Sequence, residues 1–168
     1  MVAIKINEDL TANPNSMTWK ITMSNLVYSM LDRACNPRRV HVEPVNQDAT
    51  AAMRMSIILF SFAAFPAMTI ASAFCRKISQ ELKAQLEADY SLIQPPELLL
   101  WTLTSGATAV QDKSTRIWFL TRLADFASQR NIREYNDFVN LLKNVIWIPG
   151  LFETACQQVW TEIMEIPH

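Results

Sequence analysis

The segment LLLWTLTSGATAV, residues 98–110, decides the fold prediction because its apolar residues nearly surround a helical axis. It follows Pro95 and Pro96, and proline suits the first turn of a helix, where its missing N–H is not needed. The apolar side chains of its first half are Leu98, Leu99, Leu100, Trp101 and Leu103. A helix that is apolar on most sides is buried on most sides, so this segment predicts a buried helix.

Gly106 is the only glycine in the first 149 residues, and it falls inside this predicted helix. Glycine costs a helix about 1 kcal/mol relative to alanine. Together with Ala107 and Ala109, it would leave a flat place where a neighbouring helix can approach closely. We therefore expect the packing at Gly106 to offset the lost helix propensity.

Helical spacing of apolar residues recurs along most of the chain. The segments are 19–35, a run from about Asp48 that breaks near Pro66, 76–90, 115–130, 131–147 and 151–166. Residues 1–18 form a polar N-terminal arm, either unordered or a lone edge strand through Val2, Ile4 and Ile6. The prediction is all-α: a single domain of about six to eight packed helices over residues 19–168, with a largely irregular arm at 1–18.

Three of these helices carry specific expectations. Residues 76–90 should form an amphipathic helix that buries Ile78, Leu82 and Leu86 and places a Lys77–Glu81 pair in solvent. The last helix should bury one stripe of residues. That stripe comprises Phe152, Ala155, Cys156, Val159, Trp160 and Ile163. Residues 131–147 are expected to form one helix that ends at Pro149-Gly150.

Residues 55–75 contain no charge over twenty-one positions, which is long enough to span a bilayer. Four hydroxyl side chains and Pro66 interrupt the run, and only Arg76 and Lys77 supply basic charge at its end. A buried helix broken near Pro66 is therefore the favoured interpretation. A membrane-associated helical protein with residues 55–75 inserted remains the alternative.

Few residues are available for the commonest kinds of catalytic site. Two glycines, Gly106 and Gly150, cannot build a phosphate-binding loop or a nucleophile elbow. Only His41 and His168 could serve a histidine-based site, and His41 lies in a proline-bounded loop where a solvated side chain is expected. No pair of carboxylates has a telling spacing, so nothing supports a third hypothesis, a small helical enzyme. We predict no enzyme and no catalytic, cofactor-binding or metal-binding residue.

The cysteine spacing predicts an intracellular protein with reduced thiols, and the net charge predicts no direct binding to nucleic acid. Cys35, Cys75 and Cys156 lie far apart, so they are expected to be free, buried thiols. A net charge of −1 supplies no general attraction to nucleic acid or to anionic membranes. Charged residues precede any apolar run near the start, so a secreted protein is not predicted.

Three stretches near the end resemble, in order and spacing, the C-terminal part of the regulatory domain of fungal zinc binuclear cluster transcription factors. That family has a Leu-Leu-Leu-Trp run leading to a glycine, then a Trp-Phe, and later two Leu-Trp pairs. The matching positions are Leu98 to Trp101 with Gly106, Trp118-Phe119, Ile146-Trp147 and Val159-Trp160. Arg54 stands where the family has an arginine in a preceding apolar helix. The resemblance is clearest over residues 97–164.

The chain departs from the family at three points. Gly106-Ala107 replaces two adjacent glycines, and Tyr135 stands where a tryptophan is common. The six-cysteine DNA-binding cluster is absent, since three scattered cysteines cannot form it. The resemblance implies a transcription-regulator-like interaction module that binds no DNA itself. It would act through protein partners, such as related transcription factors or coregulators, in the nucleus or otherwise the cytoplasm, or be a truncated relative without activity.

Overall fold

A computed structural model describes residues 47–64, 72–90, 93–110, 112–147, 150 and 152–166. The helices in this part of the chain are α1 (Gln47–Ala64), α2 (Ser72–Ala88), α3 (Pro96–Ala109), α4 (Lys113–Gln129), α5 (Tyr135–Lys143) and α6 (Glu153–Met164). These ranges contain no strand, so the all-α prediction is confirmed there. The predicted arm at 1–18 and the predicted helix at 19–35 lie outside the described residues.

Helix α3 is the centre of the domain, and each of the other five helices packs against it. Pro96 occupies its first turn, as predicted, and every residue from Leu99 to Ala107 is buried. The buried hydroxyls of Thr104 and Ser105 donate to the carbonyls of Leu100 and Trp101, at 2.8 Å each. These bonds within the helix satisfy polar side chains that would otherwise be costly in an apolar core.

Gly106 marks a helix–helix contact, as the sequence predicts. A Cβ atom built at this position would lie 2.5–2.7 Å from three ring carbons of Phe119 on α4. Phe119 is fully buried, and its ring lies against the notch that the missing side chain leaves. The close approach of α3 and α4 is the packing that offsets the poor helix propensity of glycine.

Of the uncharged run at 55–75, residues 55–64 belong to α1 and residues 72–75 to α2, and these two helices pack against each other. Within the ranges given above, no helix combines the length and apolar character needed to cross a membrane. On α1, the hydroxyls of Ser56 and Ser61 donate to the carbonyls four residues earlier, at 2.8 and 2.7 Å. Pro66 lies outside the described residues.

Helix α2 is amphipathic, as predicted. Ile78, Leu82 and Leu86 are buried. Lys77 and Glu81 form an exposed ion pair at 3.9 Å on the solvent side. An exposed i,i+4 pair of this kind contributes only a few tenths of a kcal/mol, so the buried stripe is what fixes this helix on the core.

Helix α4 begins at Lys113, two residues before the predicted start, because Asp112 caps it. The Asp112 carboxylate accepts hydrogen bonds from the Thr115 backbone N–H at 2.9 Å, the Thr115 hydroxyl at 2.7 Å and the Ser114 hydroxyl at 2.8 Å. These bonds, led by the one from the Thr115 backbone, lower the pKa of Asp112 to about 2. The polar residues just before the predicted start therefore form the cap and the first turn of the helix.

Asp112 is expected to make stability fall in acid. The pKa of Asp112 is lower in the folded than in the unfolded chain. The ionised carboxylate therefore adds its full share to the free energy of unfolding above about pH 4, and this share is lost as the pH falls towards 2. Asp112→Asn retains an acceptor but cannot titrate. Urea denaturation at pH 5, 4, 3 and 2 should show the stability difference between wild type and this variant shrinking with falling pH. A difference that stays constant across this range would contradict the role given to the carboxylate.

The end of α4 is a Schellman motif. Asn131 adopts a positive φ of 54°, and its N–H donates to the Ser128 carbonyl at 3.1 Å. The Ile132 N–H donates to the Ala127 carbonyl at 2.9 Å, and Ile132 is buried. Asparagine tolerates this left-handed conformation, so α4 can end and the chain can turn towards α5 without a glycine at this position.

The predicted helix over 131–147 is longer than the one observed. Helix α5 ends at Lys143, where Asn144 and Val145 close a tighter turn onto the carbonyls of Leu141 and Leu142. Trp147 then packs edge-on against Phe152 at 6.1 Å between ring centroids. This tertiary contact draws the chain out of the helix before Pro149-Gly150, the predicted end.

Helix α6 seals one side of the core. Its predicted stripe is confirmed, because Phe152, Cys156, Val159 and Ile163 are buried and Ala155 and Trp160 are half-buried. A two-pronged ion pair joins this helix to α4, with the Arg116 guanidinium 3.0 and 2.8 Å from the two carboxylate oxygens of Glu162. The same guanidinium donates to the carbonyls of Ala107 and Val110 at the end of α3. Arg116 thus ties three helices together.

Candidate interaction surface

The described residues bring together few of the groups that the sequence left open for catalysis. Cys75 and Cys156 are free and buried, and burial raises the pKa of both thiols. A buried thiol with a raised pKa is a poor nucleophile. Cys35, His41 and His168 lie outside the described residues. Over the described ranges, no three His, Cys, Asp or Glu side chains cluster as a metal site would require.

Trp101 and Trp160 pack within and against the helical core. Trp101 is fully buried beside Phe60, with ring centroids 5.5 Å apart. Trp160 packs on Phe138 at 5.3 Å. Both contacts lie inside the helical core, which is the favoured interpretation of aromatic residues at helical spacing.

Trp118 differs from Trp101, because it is only half-buried and lies where α4 runs beside α2. Lys83 of α2 places its ammonium nitrogen 5.7 Å from the centre of the Trp118 ring. The guanidinium carbon of Arg122, one turn further along α4, is also 5.7 Å from a ring centre of Trp118. Both cations lie close enough to be attracted by the negative electrostatic potential on the face of the ring.

Asp112 and Gly106 together determine how Trp118 is presented. The cap sets the start of α4, and the notch at Gly106 accepts Phe119. Neighbouring residues on a helix point about 100° apart, so seating Phe119 in the core turns Trp118 towards α2 and the surface. The two rings meet edge to face at 5.0 Å.

Two further residues adjoin this region, Ile117 by its place just before Trp118 on α4 and Tyr90 by its proximity to Arg122. Ile117 is 49% exposed, which is unusual for a large apolar side chain on this protein. Tyr90, just beyond α2, is half-buried, and burial raises its pKa to about 12, while nearby Arg122 opposes the shift and Asp125 adds to it. We define the Trp118 surface by its five members. They are Lys83, Tyr90, Ile117, Trp118 and Arg122.

The Trp118 surface carries positive groups but little net charge. Lys83 pairs with Glu87 at 3.7 Å, and Arg122 pairs with Asp125 at 3.4 Å. Phosphate backbones are bound by uncompensated Lys and Arg, which this arrangement does not offer. Half-exposed aromatic and aliphatic groups flanked by paired charges are instead the composition of a protein-binding surface.

A shallow depression of about 390 Å³ lies at the turn between α4 and α5. Its lining is largely of exposed polar side chains, including Arg130, Asn131, Asp137, Asn140 and Asn144. Ligand sites are usually enclosed and mostly apolar, with a few converging polar groups. The depression lacks these properties, so the Trp118 surface is the better candidate.

The sequence did not single out the Trp118 surface, since aromatic residues at helical spacing are more often core residues. One signal was available, because Arg122 follows Trp118 by four residues and such positions are neighbours on a helix. The approach of Lys83 depends on how α2 packs beside α4, which no local pattern reveals.

Comparison with protein-family models, with curated proteins and with solved structures finds no match for this chain.

Proposed function

We propose that this chain is a helical protein-interaction module of the type that forms the C-terminal part of the regulatory domain in fungal zinc binuclear cluster transcription factors. The proposal rests on the order and spacing of the residues that resemble that family. With no zinc cluster of its own, the chain would influence transcription only by binding other proteins. Related transcription factors and coregulators in the nucleus are the proposed partners.

One observation supports this proposal above the others. Apart from Trp118, which is half-buried beside two surface cations, most of the residues that carry the resemblance pack in or against one connected core. The ring of Phe119 fills the space beside Gly106, and Trp101 contacts Phe60. Trp147 contacts Phe152, and the ring centroid of Phe152 lies 4.8 Å from that of Phe60. A pattern of this kind is typical of relatives that share a helical core while their surfaces diverge.

The Trp118 surface is the proposed contact with the partner. Tryptophan and arginine are over-represented among the residues that dominate binding energy at protein interfaces. Burying the half-exposed Trp118 and Ile117 would remove apolar area from water at about 25 cal/mol per Å². The paired charges around them would form a polar rim that fixes orientation.

Tethering the chain to a promoter tests the proposal. The full chain, fused to an unrelated sequence-specific DNA-binding domain, should change expression of a reporter gene in a fungal cell several-fold relative to that domain alone. Ile117→Ser and Trp118→Ala should each return expression most of the way to the baseline, because each removes apolar contact area from the surface.

Met164→Ser is the matched control, since Met164 on α6 is 56% exposed and Ile117 is 49% exposed. The two serine substitutions should cost similarly little stability, but only the one on α4 should alter the reporter. A fusion that leaves expression at the level of the DNA-binding domain alone would contradict the proposed role. It would instead favour a truncated relative without activity.

A further inference from the structure

Helices α2 and α4 pack side by side and run in the same direction. Near their starts, the hydrogen bonds of its cap and, less strongly, the charge of Arg76 lower the pKa of Asp112. Further along both helices, the ammonium nitrogen of Lys83 lies 5.7 Å from the centre of the Trp118 ring. Each residue of α2 therefore lies beside the α4 residue whose number is about 35 higher.

The side of α2 next to α4 carries opposite charges at its two ends. Arg76, Lys83 and Glu87 share this side, because positions four and seven apart return to one face of a helix. Arg76 and Glu87 are both exposed, and about 16 Å of helix separates them. Glu87 pairs with Lys83 at 3.7 Å, yet its side chain is still 49% exposed. The helix dipole adds to this polarity, since the amino-terminal end is the positive one.

The midpoint between Arg76 and Glu87 lies at the level of Ile117 on the neighbouring helix. It falls between residues 81 and 82 of α2, and the offset between the two helices places it beside residues 116 and 117 of α4. Ile117 is 49% exposed and precedes Trp118. The Trp118 surface therefore has an apolar centre, with a basic group towards one end and an acidic group towards the other.

A surface with this pattern is complementary to a copy of itself turned end to end. In a two-fold dimer the same patch of both subunits meets itself. With the axis running across the helices beside Ile117, Arg76 of each copy faces Glu87 of the other, and the two Ile117 side chains meet at the axis. On the basis that the Trp118 surface is a protein contact, as its proposed function requires, we propose that it binds a second copy of this chain. Helices α2 and α4 would each lie antiparallel to their counterparts.

The dimensions of the two helices set the expected strength of this contact. Each has 17 residues and is about 25 Å long. Helices packed side by side lie about 8–10 Å apart, so together they present a face about 20 Å wide. Two such faces would bury on the order of 1,000 Å² in total, the size of a weak or transient interface. A reversible dimer is therefore expected.

Sedimentation equilibrium of the full chain measures the dissociation constant of this dimer. Arg76→Glu and Glu87→Arg each place like charges opposite each other twice in a homodimer, so each should raise the dissociation constant about tenfold or more. An equimolar mixture of the two variants should recover wild-type association, because a mixed pair has opposite charges at both contacts. Circular dichroism of each variant verifies that these exposed substitutions leave the helices intact.

Lys77→Glu is the matched control. It makes the same change of charge on the same turn of α2, but Lys77 lies on the side away from α4 and is 77% exposed. It should leave the dissociation constant unchanged, whereas Ile117→Ser should raise it. A wild-type chain that is monomeric at about 0.5 mM would overturn the proposal. So would equal effects of Arg76→Glu and Lys77→Glu, or a mixture that associates no better than the single variants.

The promoter-tethering experiment distinguishes this inference from the proposed function. A chain that dimerises as expected but leaves the reporter at the level of the DNA-binding domain alone would support the second copy as the partner and contradict the role in transcription. A chain that changes the reporter but stays monomeric in solution would overturn the dimer and leave the proposed function supported.

Discussion

Gly106→Ala is expected to destabilise the protein by about 2 kcal/mol, although alanine is the better helix former. The added methyl carbon would lie 2.5 Å from the nearest ring carbon of Phe119, well inside van der Waals contact. Phe119 cannot simply move aside, because it is fully buried and its ring lies edge-on to Trp118. Chemical denaturation followed by far-ultraviolet circular dichroism measures the loss.

A double-mutant cycle identifies the cause of that loss. Phe119→Leu shortens the side chain that fills the notch, so Gly106→Ala should cost much less in the Phe119→Leu background than in the wild type. Ser128→Ala, on the exposed side of α4, is the control for helix propensity and should change stability by only a few tenths of a kcal/mol. If Gly106→Ala proves as stable as the wild type, the close approach of α3 and α4 is not the reason for the glycine.

Arg116→Met is expected to lower the free energy of unfolding by about 2–3 kcal/mol. The substitution removes both hydrogen bonds to Glu162 and leaves the carbonyls of Ala107 and Val110 without their donor. Those carbonyls lie at the end of α3, where a cation is favoured by the helix dipole. Arg116→Lys should recover only part of the loss, because an ammonium group cannot bind a carboxylate with two parallel bonds.

Arg122→Met is the matched control, since the Arg122–Asp125 pair is about half exposed on both sides while Arg116 is 20% and Glu162 29% exposed. The control should cost less than about 1 kcal/mol. Glu162→Gln combined with Arg116→Met should cost less than the two single changes added together. If the two arginine substitutions lower the free energy of unfolding equally, the bonds by which Arg116 joins α3, α4 and α6 contribute no more than an exposed ion pair.

The pair also predicts a pH dependence. The hydrogen bond from Arg116 lowers the pKa of Glu162 from its usual value of 4.5. The stabilisation that Glu162 supplies is therefore complete above the pKa that it has in the unfolded chain. It is lost as the pH falls through the lower pKa of the folded protein. The stability difference between wild type and Glu162→Gln should accordingly decrease below about pH 4.5.

Much of the helical core could be predicted from local pattern alone. The buried stripe of α2, the buried stripe of α6 and the encircling apolar residues of α3 all follow from the 3.6-residue period. Gly106 was also informative, because a glycine inside a helix needs a compensating contact. These features depend on which face of a single helix is buried, and the spacing of apolar residues in the sequence shows that face directly.

The start of α4 is set locally, because Asp112 caps it through bonds to residues two and three positions later. The end of α5 and the Trp118 surface depend instead on contacts between segments further apart, such as that of Trp147 with Phe152. The Trp118 surface required Lys83 to approach from another helix. Local periodicity carries no information about which helices become neighbours.

The 3.6-residue pattern of the sequence is therefore enough to predict that the described segments are helical, that α3 is buried and that Gly106 faces a neighbour. Only the packing of the helices shows that this neighbour is Phe119, that Arg116 joins three helices and that Trp118 faces outwards beside two cations. The physical reason is the range of the interactions. Burial and propensity act within a turn or two of helix, whereas the notch, the ion pair and the surface form only once the helices have packed.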